Sequence, residues 1–132
     1  MGTWGIGSFE NDDAADWLNE LEEAENSRCL QKAFKAVLRN DDRIELPQAC
    51  AAVAAAEVVA AWNGKPAKDL PQEVLNFLKR VDDPPDPALL EMADATLARL
   101  QEDECELREA WEESESVDEW TAAIEELRDR LG

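Results

Sequence analysis

Two sets of carboxylates have the residue type and the setting for chemistry. Glu57 is the one charged residue in positions 47–63, inside the stretch ACAAVAAAEVVAAW. A carboxylate in apolar surroundings must be paired, hydrogen-bonded or protonated, and acids with shifted pKa values serve as general acids or bases. Asp12, Asp13 and Asp16 form the second set, and their spacing places them on one helix face. Together with Glu57 they would form a carboxylate-based or metal-assisted hydrolase.

Both sets also have structural interpretations. The chain contains no histidine, and no nucleophile motif accompanies Glu57, which more simply accepts hydrogen bonds that pin another segment. The three aspartates open a predicted helix, where carboxylates cap the chain and interact favourably with the helix dipole. A calcium loop alternates oxygen ligands around a glycine, and this stretch does not. We therefore expect no catalytic centre, cofactor or metal, and keep the hydrolase as the alternative.

The opening stretch GTWGIGSF is glycine-rich, but its context does not suit a phosphate. No basic residue precedes Arg28, and the glycine spacing matches neither a P-loop nor a dinucleotide fingerprint. Trp4 and Phe9 instead suit packing into a groove. Buried backbone amides need acceptors. The sequence therefore predicts that residues between Gly2 and Asn11, or a tryptophan indole, donate hydrogen bonds to Glu57.

Apolar spacing, helix caps and helix breakers predict an all-α fold. We expect one domain over residues 1–132, a bundle of about six helices with the irregular Gly/Trp-rich N-terminal segment packed on it. The third helix is apolar around nearly its whole circumference, which is typical of a helix surrounded by others. The predicted helices cover about 12–24, 27–39 and 47–63, a short helix from 71, one long helix over 86–113, and a last helix over 117–131.

Apolar residues three and four apart predict the buried face of each outer helix. On the long helix, Glu104 falls inside this pattern, where it would pair with Arg108 or be displayed. The apolar positions are Leu30, Ala33, Phe34, Val37 and Leu38 on the second helix, Val74, Leu75 and Leu78 on the fourth, Ala93, Leu97, Leu100, Leu107 and Trp111 on the fifth, and Val117, Trp120, Ile124, Leu127 and Leu131 on the last.

The charge balance restricts the choice of partners. The chain has 32 acidic and 13 basic residues, a net charge of −19. Nucleic acid and anionic membranes are disfavoured, because both are bound through Lys and Arg. Cys29, Cys50 and Cys105 are too widely spaced for a metal cluster or a disulfide framework, and no segment is apolar enough for a membrane span. These features favour a cytoplasmic protein.

Acidic residues are densest near the C-terminal end of the long helix. Ten acidic residues and one basic residue lie between Glu102 and Glu119. Glu112 and Glu113 stand close to a helix C-terminus, where the dipole disfavours negative charge, and such local conflicts often mark functional surfaces. The candidate interaction surface comprises Glu102, Glu104, Glu106, Glu109, Glu112, Glu113 and Glu115.

The segments GTWGIGSFENDDAADW, AAVAAAEVVAAWNG, ECELREAWEES and EWTAAIEELRDRL resemble a bacterial family, domain of unknown function 4259. The resemblance covers nearly the whole chain and implies membership without any catalytic residue. Cys105 stands where the resemblance implies a serine, which argues against a thiol role. The resemblance also matches Asp12, Trp111 and Trp120. The structural motif that we take from these segments is Trp4, Gly5, Gly7, Phe9, Asn11, Asp16, Trp17 and Glu57.

The function expected from these observations is binding without catalysis. We predict an acidic helical domain that binds a basic protein, with an immunity or inhibitor protein as one form of this function. The sequence does not decide the oligomeric state. The carboxylate hydrolase is the first alternative, and a surface that is acidic only for solubility or high salt is the second.

Overall fold

The computed structural model describes residues 12–23, 27–40, 43–65, 70–81, 84–102, 105–113 and 117–131. Within these ranges the chain forms no β-strand, and Ile44 and Cys105 make one isolated parallel bridge. The all-α prediction is confirmed, and the N-terminal segment expected to pack on the bundle lies outside the described residues. The helices are α1 (Asp12–Glu23), α2 (Arg28–Leu38), α3 (Leu46–Trp62), α4 (Gln72–Arg80), α5 (Pro87–Leu100), α6 (Glu106–Glu113) and α7 (Val117–Leu131).

Helix α3 is the centre of the bundle and contacts all six other helices. Its residues 52–61 are all buried, and most are alanines, so neighbouring helices approach closely. Gly64 ends the helix with φ 87°, a conformation that glycine adopts without strain. The Gly64 N–H donates to the Ala61 carbonyl at 3.0 Å and the Lys65 N–H to the Ala60 carbonyl at 2.9 Å, which is a Schellman motif.

The outer helices bury their apolar faces against α3 and against each other. Helix α1 packs on α4, α2 on α5, and α7 on both α5 and α6. Phe34 of α2 and Phe77 of α4 are completely buried, and each large aromatic side chain contributes strongly to the core. Of the predicted stripe of α7, Trp120, Ile124, Leu127 and Leu131 are buried, and Val117 is half-buried.

The predicted long helix is wrong, because two helices occupy its range. Asp86 caps α5 as expected, and its carboxylate accepts the Ala88 N–H at 2.9 Å. Helix α5 ends at Leu100, and the chain resumes as α6 at Glu106, whose N–H donates to the Ile44 carbonyl at 2.9 Å. The apolar spacing does not reveal this break, because the apolar positions before and after it are buried, as they would be in one continuous helix.

Two of the apolar leucines named above lie outside the core. Leu38 and Leu75 are 38% and 39% exposed. Leu38 is the last residue of α2, and α4 buries Val74 and Phe77 instead of Leu75. In the described part of the chain, no helix combines the length and the apolar composition that a membrane crossing requires.

Candidate functional site

Glu57 is buried in α3 and binds Arg130 of α7. Its side chain is 9% exposed, and one carboxylate oxygen lies 2.8 Å from Nη1 of Arg130. The Nη2 group of Arg130 donates to the second oxygen at 3.1 Å. The guanidinium thus lies within ion-pair distance of both carboxylate oxygens, and the bond from Nη2 is a charge-assisted hydrogen bond.

Arg130 is itself held by further acceptors. Its Nε donates to the two oxygens of Glu126 at 3.0 and 2.7 Å, and Nη1 donates to the Lys65 carbonyl at 3.3 Å. Burial opposes the charge of Arg130, but the hydrogen bonds to Glu57 and Glu126 and the negative charges of these two residues together outweigh this cost and raise its pKa. This ionic cluster therefore ties the last turn of α7 to the C-terminal half of α3.

The donor that sequence reasoning missed for Glu57 is therefore Arg130. The two residues lie 73 positions apart, and periodicity within single helices cannot pair residues across such a distance. The residues between Gly2 and Asn11, predicted to donate to Glu57, lie outside the described part of the chain. The same is true of the motif residues Trp4, Gly5, Gly7, Phe9 and Asn11.

The structure does not gather the described aspartates, Asp13 and Asp16, with Glu57 into a metal-binding group. Asp16 is exposed and Asp13 half-buried; the structure does not describe the Asp12 side chain. Burial, and after it the charge of Asp13, raises the pKa of the Cys50 thiol, and Cys50 precedes Glu57 by two turns of α3, about 10 Å along the axis. Over the described ranges, no three His, Cys, Asp or Glu residues come close enough to hold a metal ion.

The predicted acidic surface divides into residues with internal partners and residues facing solvent. Glu106 accepts the Leu46 N–H at 3.2 Å, and Glu109 forms an ion pair with Arg43. These two contacts fix α6 to the connection between α2 and α3. Glu102 and Glu113 are exposed. Glu104 and Glu115 lie outside the described residues.

Four exposed acids lie where α6 ends and α7 begins. Glu112 and Glu113 are the last residues of α6, and Asp118 and Glu119 lie in the first turn of α7. All four are exposed. Glu112 also pairs with Arg108 at 3.7 Å. Because α6 and α7 pack together, these four residues form one surface, which we name the acidic corner.

Cys105 has a structural role at the start of α6. Its sulfur accepts the backbone N–H groups of Leu107 and Arg108, and its carbonyl accepts the Glu109 N–H at 3.0 Å. This is the N-cap arrangement, which serine serves well. Burial raises the pKa of the thiol, against the effect of these two hydrogen bonds. A capping role at position 105 is consistent with the serine that the family resemblance implies there.

Helices α1, α2 and α3 line an open cavity of about 230 Å³. Trp17 of the structural motif lies in its α1 wall, and Cys29 of α2 is half-buried beside it. Burial raises the pKa of the Cys29 thiol to about 11, so this thiol is protonated near neutral pH. The cavity is lined by Trp17, Glu20, Cys29, Lys32, Ala33, Ala36, Pro47, Gln48 and Ala51.

Comparison with known proteins identifies the chain by family. No curated protein and no solved structure gives a match to it. The family described as "Domain of unknown function (DUF4259)" matches residues 2–123, a range that includes the opening stretch, the whole of α3 and the acidic corner. The chain therefore belongs to the DUF4259 family.

Proposed function

We propose that this chain is a binding domain without catalytic activity, and that its acidic corner receives a basic protein. The observation that carries the proposal is the exposure of all four carboxylates of the corner at one helix junction. Glu106 and Glu109, in contrast, are occupied by contacts inside the fold. The proposed surface is therefore narrower than the sequence suggested, and it gains Asp118 and Glu119.

The helix dipoles treat the two halves of the corner differently. Asp118 and Glu119 lie at the N-terminus of α7, where negative charge is favourable, whereas Glu112 and Glu113 lie at the C-terminus of α6, where it is not. Among the described residues of α6, Arg108 is the basic residue, and it offsets part of the negative charge of the corner by pairing with Glu112. Basic side chains of a partner would relieve the remaining repulsion and steer its approach.

The ion pair of Glu57 argues against the hydrolase alternative. A general acid or base must reach its substrate and exchange a proton with it. Glu57 is buried, and both of its oxygens face the guanidinium of Arg130. The carboxylate has the surroundings of a structural residue, so we do not favour the hydrolase alternative.

We also infer a reducing compartment, as in the cytoplasm. Cys29, Cys50 and Cys105 are all free thiols, and disulfides form and persist mainly in oxidising compartments. Cys50 and Cys105 are buried in the core, and burial raises the pKa of Cys50 to about 12.

The test uses a lysine-rich peptide as a basic probe and charge reversal at the corner. We expect Glu113→Lys/Glu119→Lys to weaken binding by about tenfold, because attraction at two sites becomes repulsion. Glu22→Lys/Glu23→Lys on α1 is the matched control, since both residues are exposed and the change in net charge is the same. Titration at low and moderate salt gives the affinities.

Equal losses in the two double variants would contradict the proposal, because binding would then follow net charge alone. Capture of ligands from native lysate, with elution by salt, extends the test to natural partners. If the acidity serves only adaptation to high salt, the unfolding free energy rises with salt and corner reversal leaves the set of captured proteins unchanged.

A further inference from the structure

Helix α2 and its flanking residues are positively charged, whereas the chain as a whole is strongly negative. Residues 27–40 contain no acidic residue and four basic ones. The rest of the chain contains nine basic and 32 acidic residues. The four residues are Arg28, Lys32, Lys35 and Arg39, which we name the basic stripe.

The spacing of the stripe places its members on one side of α2. Steps of four, three and four residues keep the four side chains within about 60° around the helix axis and spread them over about 17 Å. Leu30, Phe34 and Val37 lie on the opposite side and are completely buried. The stripe therefore lies along the outer side of the helix, opposite its packed face.

The stripe faces solvent. Arg28, Lys32 and Arg39 are exposed and Lys35 is half-buried. The ion pair of Lys32 with Glu20 is 3.5 Å long, and its side chains are 80% and 56% exposed, so it holds Lys32 only weakly. An incoming carboxylate can compete for this lysine without disturbing the core.

The cavity between α1, α2 and α3 runs along one flank of the stripe. Lys32 belongs to both, and Cys29, Ala33 and Ala36 form the rest of the α2 wall. An apolar cavity of about 150 Å³ is large enough for benzene, so a volume of about 230 Å³ accommodates one aromatic or branched aliphatic side chain. Apolar space thus lies directly beside a row of cations.

We propose that the basic stripe and this cavity bind an acidic amphipathic helix of a partner protein, with one large apolar side chain of that helix in the cavity. The charge of the stripe is opposite to that of such a helix, and a row of carboxylates at helical spacing matches a row of cations at the same spacing. This surface is separate from the acidic corner and selects the opposite charge, so it does not depend on the proposed function.

Two other occupants fit less well. Nucleic acid would meet a chain whose remaining charge is strongly negative, and four cations release few counterions. A second copy would need an exposed large apolar side chain beside acids. In the described ranges, the exposed large apolar side chains are Leu38 on α2 itself and Leu75 on α4, which ends with Lys79 and Arg80.

The test uses an alanine-based helical peptide as the probe. It carries glutamates at steps of four, three and four residues and one leucine beside them. One control peptide has lysines in place of the glutamates, and another has alanine in place of the leucine. Binding is measured by fluorescence anisotropy of the labelled peptide, and the site is mapped by NMR chemical shifts of the protein. We expect shifts on α2 and around the cavity, with weaker binding of both control peptides.

Charge reversal in the protein separates the stripe from net charge. We expect Lys32→Glu/Lys35→Glu to raise the Kd about tenfold. Lys65→Glu/Lys79→Glu changes the net charge equally at exposed positions just after α3 and on α4, and the Kd should change less than about twofold. Ala36→Phe at the cavity should remove the preference for the leucine peptide. Circular dichroism and urea midpoints confirm that each variant is folded.

Four results would overturn the proposal. One is an unchanged Kd in the stripe variant, and another is an equal loss in the control variant. The third is equally tight binding of single-stranded DNA. The fourth is a dimer of the chain, seen by light scattering and abolished by Lys32→Glu/Lys35→Glu, because a second copy would then occupy the stripe.

Discussion

Replacing Arg130 by methionine tests the ionic cluster between α3 and α7. Methionine keeps much of the length of the side chain but removes the cation, so Glu57 keeps a buried charge without its described guanidinium partner. Breaking a buried ion pair by removing one member costs about 3–5 kcal/mol. The side chains of Glu57 and Arg130 are 9% and 16% exposed. Because some water reaches them, we expect a loss of unfolding free energy at the lower end of this range, about 3 kcal/mol.

The measurement is urea unfolding followed by tryptophan fluorescence. Domains of this size have unfolding free energies of about 5–15 kcal/mol, so the loss is a large fraction of the total. The melting temperature should fall by roughly 3–5 °C per kcal/mol. Arg128→Met is the matched control on the same helix. Arg128 forms an ion pair with Asp94, and the two side chains are 35% and 45% exposed. Such exposed pairs contribute about 1 kcal/mol or less to the unfolding free energy.

A double-mutant cycle separates the pair from its surroundings. Glu57→Gln removes the negative charge and keeps the shape, and Glu57→Gln/Arg130→Met removes both charges. Because the two residues bind each other, the double variant should lose less stability than the two single losses together, with a coupling of at least about 1 kcal/mol. Additive losses, or an Arg130→Met variant as stable as Arg128→Met, would refute the cluster.

Two further predictions concern the cysteines. Cys105→Ser should change the unfolding free energy by less than about 1 kcal/mol, because the serine hydroxyl accepts the same two backbone amides. Cys105→Val should cost about 1–2 kcal/mol, because it leaves these amides unpaired. Thermal melts compare the two variants, and equal melting temperatures would exclude the cap. Folding raises the pKa of the Cys29 thiol from 9.0 to about 11, so its contribution to stability is complete below pH 9 and is lost as pH rises from 9 to 11. Urea midpoints across that interval should fall less steeply in Cys29→Ala, and parallel pH profiles would contradict this.

Individual helices and their buried faces follow largely from the sequence. Apolar spacing and helix-end residues predict the bounds of α3, since Pro47 suits the first turn of a helix and Gly64 suits the residue after its C-cap. The structure confirms both ends within one or two residues. The stripe of α7 is predicted correctly for the same reason. The basic stripe of α2 could also have been found from the sequence, because four cations at helical spacing in an acidic chain form a local pattern.

The tertiary structure alone decides which distant residues meet. At the break between α5 and α6, Cys105 forms a bridge with the distant Ile44, and the partner of Glu57 lies 73 positions away on another helix. Periodicity reports which side of a helix is apolar, but it carries no information on which helix covers that side. The sequence therefore determined that Glu57 requires a donor in the apolar centre, and only the packing of α7 against α3 determined that Arg130 supplies it.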